Sequence, residues 1–178
     1  MRLIFVPFII ISIVDGSWGW ALGLFVVAGI SDGLDGLLAR LLKQKTVLGQ
    51  YMDPIADKLL LSSLFLVLSI THNIPWKFTV LVFSRDMGIL VTSALLYAVT
   101  GFRDFRPSIY GKMNTCAQVA ALFCVLVFQL DQTEWIHTAA HVLLWIVFAL
   151  TFISGLHYVW LTGQRLKAAE RARTAASR

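Results

Sequence analysis

Six apolar stretches run the length of the chain, at about residues 3–15, 18–42, 50–72, 75–102, 109–130 and 135–162. Each is closed by a short polar segment, and such lengths and spacing predict helices joined by brief loops. The segments between them, among them "DGSWG", "HNIP" and "LDQTEW", carry the glycine, proline, asparagine and aspartate that stop helices. The opening "MRLIFVPFII" has the look of a secretory leader. No small-residue cleavage site follows it and the apolar pattern runs on into the next stretch, so it is read as a retained first helix. There is no internal repeat, and the one biased tract is the basic end "GQRLKAAERARTAASR".

Composition turns these helices into membrane helices. Hydrophobic residues make up 58% of the chain and charged residues 14%, against the roughly 25% charged of a soluble domain; mean hydropathy is +0.76. With 178 residues there is room for about six spans of roughly 20 residues each. The fold expected is therefore an all-α integral membrane protein of six transmembrane helices, residues 1–164, followed by a basic cytoplasmic tail, residues 165–178. That tail is expected to be a frayed helix lying in solvent or on anionic lipid headgroups.

Charge orients the bundle. With a cytoplasmic N-terminus, Arg2, the Arg40/Lys43/Lys45 loop, the Arg103/Arg106/Lys112 loop and the tail all fall on one side. The opposite loops hold only Lys77 among cations, with Asp15, Asp131 and Glu134. This is the positive-inside distribution, and an even number of spans with both termini cytoplasmic satisfies it. The net charge of +5 is thereby accounted for by lipid, and no nucleic-acid partner is expected.

Against that background the stretch "SDGLDGLLAR" is anomalous, placing two carboxylates at the end of an otherwise uncharged span. On a helix Asp32, Asp35, Gly36 and Ala39 share one face. After the basic loop, "GQYMDPIADK" puts Gly49, Asp53 and Asp57 on one face of the next helix. A short connection makes the two helices antiparallel neighbours, so the four aspartates can converge at the cytoplasmic end. Four carboxylates in low dielectric stay ionised only beside cations, and hard oxygen donors suit Mg²⁺ or Mn²⁺. The small residues Gly36, Ala39 and Gly49 leave room for a bulky ligand, and Arg40 at the membrane edge is placed to pair with phosphate.

The pattern Asp-x2-Asp-Gly-x2-Ala-Arg-x8-Gly-x3-Asp-x3-Asp runs through Asp32, Asp35, Gly36, Ala39, Arg40, Gly49, Asp53 and Asp57 without substitution. It resembles the signature of the CDP-alcohol phosphatidyltransferases, and the resemblance extends to "SRD" at Ser84–Asp86 and "GKMNT" at Gly111–Thr115. It implies a six-helix enzyme of the bacterial inner membrane, a homodimer with its site on the cytoplasmic side, that displaces CMP from CDP-diacylglycerol with an alcohol. By position, Asp32, Asp35, Asp53 and Asp57 would bind two divalent ions, Asp57 would also act as general base, and Gly36, Ala39, Arg40 and Gly49 would line the cytidine diphosphate pocket. Arg85, Lys112, Arg103 and Arg106 are the candidates for holding the acceptor. The family's usual amphipathic lead-in, ending Asn-x2-Thr-x2-Arg, is matched here only by Arg2, so a longer natural N-terminus is expected.

"DPIADK" resembles the branch whose acceptor carries a glycerol unit. Glycerol 3-phosphate is the acceptor expected, with Arg103 and Arg106 supplying positive charge. The alternative is phosphatidylglycerol, as in CMP-forming cardiolipin synthases: Asn114 stands where the glycerol-3-phosphate enzymes have a second lysine, and "SALLYA" where they have Leu-Arg. An ion-coupled transporter could also use buried aspartates, but such folds show internal repeats. A membrane prenyltransferase would set its two acidic motifs in separate halves of a longer chain.

The remaining chemistry-bearing residues receive structural readings. His72, His137, His141 and His157 lack metal spacing. Cys116 and Cys124, two turns apart on one helix, are too distant for a disulfide and are expected in the core. Arg85 with Asp86 is either a neutralising pair or part of the acceptor site, and Lys112 either a membrane anchor or functional. The tryptophans fit interfacial belts.

Overall fold

The computed structural model describes the backbone of residues 2–41, 47–100 and 109–176, with side chains for 4–31, 33–34, 58–89, 91, 111–156 and 163. Within these all regular structure is helix, joined by short turns: α1 (Arg2–Val14), α2 (Trp18–Leu41), α3 (Val47–Ile70), α4 (Trp76–Thr100), α5 (Ile109–Leu130) and α6 (Glu134–Ala176). The six apolar stretches map onto these six helices, five of them to within three residues at each end. The exception is α6, whose 43 residues run straight through the basic tail. At 1.5 Å per residue it is about 65 Å long, twice a bilayer's hydrocarbon core. The tail is a continuation of the last helix in the same rod.

Two helix ends are built alike. After α1, the Gly16 amide donates to the Ile13 carbonyl (3.1 Å) and the Ser17 amide to the Ser12 carbonyl (2.8 Å), with Gly16 at φ +69°. After α3, the His72 amide donates to Ser69 (3.2 Å) and the Asn73 amide to Leu68 (2.8 Å), with His72 at φ 58°. Both are Schellman caps, which satisfy terminal carbonyls by placing one residue in the left-handed region. Asn73 then accepts from Gln129 of α5 (2.5 Å), tying this turn to a neighbouring helix. At the start of α6, the Thr133 carbonyl receives the first helical bonds, from Ile136 and His137, and Glu134 complements the helix dipole.

Packing follows helical periodicity. Ala21, Phe25 and Ala28 of α2, Leu61, Leu64, Phe65 and Leu68 of α3, Leu122, Val125 and Leu126 of α5, and Ala140, Leu144 and Val147 of α6 are buried in one cluster with Ile9 and Ile13 of α1. Among the described residues α5 packs most extensively on α6. α2 and α3 both pack on α1 and α5, and α4 on α3 and α6. The side chains at the ends of α2 and α3 that their short connection is expected to bring together lie outside the described ones; elsewhere the two helices share α1 and α5 as neighbours. Buried Ser69 and Thr79 hydrogen-bond across α3 and α4, and Thr79 also donates to the Phe65 carbonyl at 3.1 Å.

The outer surface is the reverse of a soluble protein's. Phe8, Val80, Phe83, Val91, Val142, Trp145, Ile146, Phe152 and Ile153 are exposed, while Asn114, Gln118, Thr151, Ser154 and Asp86 are buried. Apolar outside and polar inside is stable where the surroundings are hydrocarbon. Among the described residues two segments, Gly111–Leu130 and Glu134–Leu156, are long and apolar enough to cross a membrane, and Ile4–Val14, Trp18–Ser31 and Lys58–Ile70 form shorter apolar helices. Trp76 and Trp135 sit exposed at the starts of α4 and α6, where interfacial anchors belong. Cys116 is exposed on α5 and Cys124 half-buried, both free. The expectation that both thiols belong to the core thus fails for Cys116, whose position lies on the side of α5 opposite the buried Asn114–Gln118 face.

Candidate functional site

The acidic signature falls on two helices. Asp32 and Asp35, with Gly36, Ala39 and Arg40, lie in the last turns of α2; Gly49, Asp53 and Asp57 lie in the first turns of α3. Within α2 the spacing of three, and within α3 the spacing of four, keeps each pair on one helical face. The side chains of these eight residues lie outside the described ones, as do Arg103 and Arg106 altogether. The described part of the site begins one residue later, at Lys58.

Lys58 is half-buried on α3, and its Nζ lies 3.8 Å from Asp86 Oδ1 of α4. The same carboxylate oxygen accepts from Arg85 Nη1 at 2.5 Å. Arg85 Nη2 reaches on to donate to Ser154 Oγ of α6 at 3.1 Å. The Arg85 and Asp86 side chains are only 7% and 5% exposed, so this is an ion pair withdrawn from solvent, with Lys58 on the same carboxylate. Leaving either member of such a pair alone costs about 3–5 kcal/mol. The sequence offered two readings for Arg85 and Asp86, a neutralising pair or part of a site; the pair exists, and it is anchored to the residue that follows Asp57.

The polar layer continues along α6. Thr151, one turn before Ser154, donates to Asn114 Oδ1 of α5 at 3.0 Å. Asn114 and Gln118, four residues apart and therefore on one face of α5, are 0% and 1% exposed. Three donors in this layer, Arg85 Nε, Asn114 Nδ2 and Gln118 Nε2, are buried and have no hydrogen-bond partner among the described residues. Lys112 departs from the group: it is exposed at the start of α5, the position of a membrane anchor. Of the four acceptor candidates read from the sequence, Arg85 is in the buried layer and Lys112 is outside it.

Lys58, Gln118, Thr151 and Ser154 escaped the sequence reading, and Asn114 was noticed there only as a departure from a motif. A signal was present, since polar side chains in apolar spans face the bundle interior, and Asn114/Gln118 and Thr151/Ser154 have the i, i+4 and i, i+3 spacing of single faces. Among the described residues no group of three or more histidine, cysteine, aspartate or glutamate side chains is placed to hold a metal.

Residues 1–153 match the family model for CDP-alcohol phosphatidyltransferase. Among curated relatives, the probable phosphatidylglycerophosphate synthase of Mycobacterium tuberculosis is 35% identical over 89% of this chain and 76% of its own length. The CDP-diacylglycerol--glycerol-3-phosphate 3-phosphatidyltransferase of Haemophilus influenzae is 31% identical over 89% and 86%. A putative cardiolipin synthase of Mycobacterium bovis is 29% identical over 90% and 74%.

Proposed function

The chain belongs to the CDP-alcohol phosphatidyltransferase family, and on that premise we propose that this enzyme of phospholipid biosynthesis transfers the phosphatidyl group of CDP-diacylglycerol to glycerol 3-phosphate, releasing CMP. The observation that carries the choice of acceptor is the similarity, over most of both chains, to one relative named for that acceptor and another named for phosphatidylglycerophosphate. Phosphatidylglycerol is the second reading. It is favoured by one feature of the site, the uncharged Asn114 and Gln118 buried where a second cation would serve a free phosphate dianion better.

The family generally uses divalent metal ions. The four aspartates fit such a role by donor chemistry, being hard oxygen ligands on adjoining helix ends, and Asp32, Asp35, Asp53 and Asp57 are assigned to hold two ions, Mg²⁺ or Mn²⁺. When bound, the ions neutralise the pyrophosphate and stabilise the departing CMP. Gly36, Ala39 and Gly49 leave space for the cytidine diphosphate, and Arg40 pairs with its phosphate. Asp57 accepts the proton of the acceptor hydroxyl as its oxygen bonds to the phosphatidyl phosphorus. The bond from that phosphorus to CMP breaks, and CMP leaves with the electron pair. Lys58 and Asp86 hold the Asp57 turn of α3 against α4, and Arg85 lies at the same level, available to the acceptor's phosphate.

The same reading places six helices across the bacterial inner membrane, both termini and the acidic site on the cytoplasmic side, in a homodimer. The distribution of lysine and arginine supports that orientation. Supplying purified enzyme and CDP-diacylglycerol with glycerol 3-phosphate or phosphatidylglycerol in turn, and identifying the lipid formed, tests the acceptor. Phosphatidylglycerol phosphate is the product expected; cardiolipin as the sole product transfers the assignment to the second reading.

A further inference from the structure

Asn114 and Gln118 need an explanation that packing does not give. Both are buried in the interior of an apolar bundle, and each has an amide N–H₂ without a partner among the described residues. For Asn114 this persists whichever way the amide is turned, because Thr151 engages one end and leaves the other. A buried donor left unmade is costly, and apolar residues of the same shape would remove the cost. Two such donors one turn apart on α5, with a third at Arg85 Nε on the far side of Thr151 and Ser154, line one continuous polar layer. The layer reaches the turn of Asp57 through Asp86 and Lys58.

We propose that Asn114 and Gln118 are specificity-determining residues whose amides donate to the free hydroxyl of the acceptor's glycerol–phosphate unit, the hydroxyl beside the one that reacts. The assignment rests on the proposed transferase reading and deepens it. A glycerol bonded to phosphate offers one hydroxyl as nucleophile and a second that takes no part in the chemistry and is free for recognition. Neutral amide donors suit a hydroxyl oxygen, where lysine or arginine would suit a phosphate. The unit is common to free glycerol 3-phosphate and to the headgroup of phosphatidylglycerol, so the same seat serves either source.

The test compares each acceptor with its analogue lacking the second hydroxyl: glycerol 3-phosphate against 3-hydroxypropyl phosphate, and phosphatidylglycerol against phosphatidyl-1,3-propanediol. Wild type, Asn114→Leu and Gln118→Leu are assayed with CDP-diacylglycerol in detergent micelles. Wild type is expected to prefer the hydroxylated acceptor by about tenfold or more in kcat/KM, the size of a hydrogen bond left unmade. Each leucine variant should lose most of that preference, keep its KM for CDP-diacylglycerol, and unfold at the same or a higher temperature. Whichever pair is turned over names the source of the unit. Should a leucine variant fail to fold, Asn114→Ala or Gln118→Ala takes its place and the same ratio is read. Turnover indifferent to the hydroxyl, or a preference that folded variants retain, overturns the seat alone. Absence of turnover with every acceptor overturns the transferase reading and the seat with it.

Discussion

Asp57 and Asp53 occupy the same face of α3, one turn apart, yet the proposed mechanism asks different things of them. Both hold metal, and only Asp57 takes a proton. Asp57→Asn is therefore expected to lower kcat by about 10²–10⁴ while weakening CDP-lipid binding less than Asp53→Asn does. Equal loss of binding in the two variants, measured by titration with CDP-diacylglycerol, would reduce Asp57 to a ligand. Asp86 belongs to a different class of residue. Its carboxylate is shared by Arg85 and Lys58 inside the bundle, so Asp86→Asn leaves a buried guanidinium without its counter-charge. The destabilisation expected is about 3–5 kcal/mol, seen as a lower unfolding midpoint in detergent. Arg85→Met introduced alongside should recover most of it, because two apolar side chains demand no pairing; no recovery would mean that the pair is not what Asp86 contributes.

Helix ends and helix faces carry the next level of explanation. The α1 and α3 caps have the same hydrogen-bond pattern, but the left-handed position is glycine in one and histidine in the other. A residue with a Cβ pays about 1–2 kcal/mol there, partly offset by the smaller backbone freedom it loses on folding. His72→Gly is thus expected to stabilise the protein by about 0.5–1 kcal/mol, a rise of about 2 °C in the unfolding midpoint, and to leave turnover unchanged. A drop in the midpoint would show that the His72 ring, exposed on the surface, makes a contribution of its own. On α6 the element changes character along its length. Its first part is apolar, with Thr151 and Ser154 facing the polar layer, and its last part is basic. A single unbroken helix makes the basic tail a direct extension of the last helix of the bundle.

At the scale of the molecule the governing fact, among the described residues, is that apolar side chains cover the outside as well as the core, while a layer of charged and amide groups lies within. Nothing in a hydrocarbon surrounding rewards exposed polar groups, so those present are gathered in the interior and paired, or kept for a ligand. The acidic ends of α2 and α3 extend the same logic under the proposed function, in which the four aspartates share a site and need compensating positive charge. Activity is expected to vanish in EDTA and to return on adding Mg²⁺ or Mn²⁺. Full turnover in the chelator would remove the metal assignment from Asp32, Asp35, Asp53 and Asp57.

Six helices, their approximate bounds and the family were legible along the chain because each is a local property. Apolar runs end where glycine, proline and charge begin, and the eight-residue acidic signature occupies two adjacent segments, so periodicity alone aligns each half on a face. The pairing of Arg85 with Asp86 was half legible for the same reason, being between neighbours in sequence. What tertiary structure alone decided lies between helices far apart in the chain. Lys58 meets Asp86, Arg85 meets Ser154 and Thr151 meets Asn114 across separations of 28, 69 and 37 residues, contacts that no local pattern encodes. The same packing turned Cys116 outward and buried Gln118, two positions on one helix that composition could not tell apart. It also set both α2 and α3 against α1 and α5, neighbours that their own sequences do not name. Hydrophobicity specifies that a side chain leaves water; in a bilayer both the lipid face and the interior satisfy that demand, and only the packing of helices chooses between them.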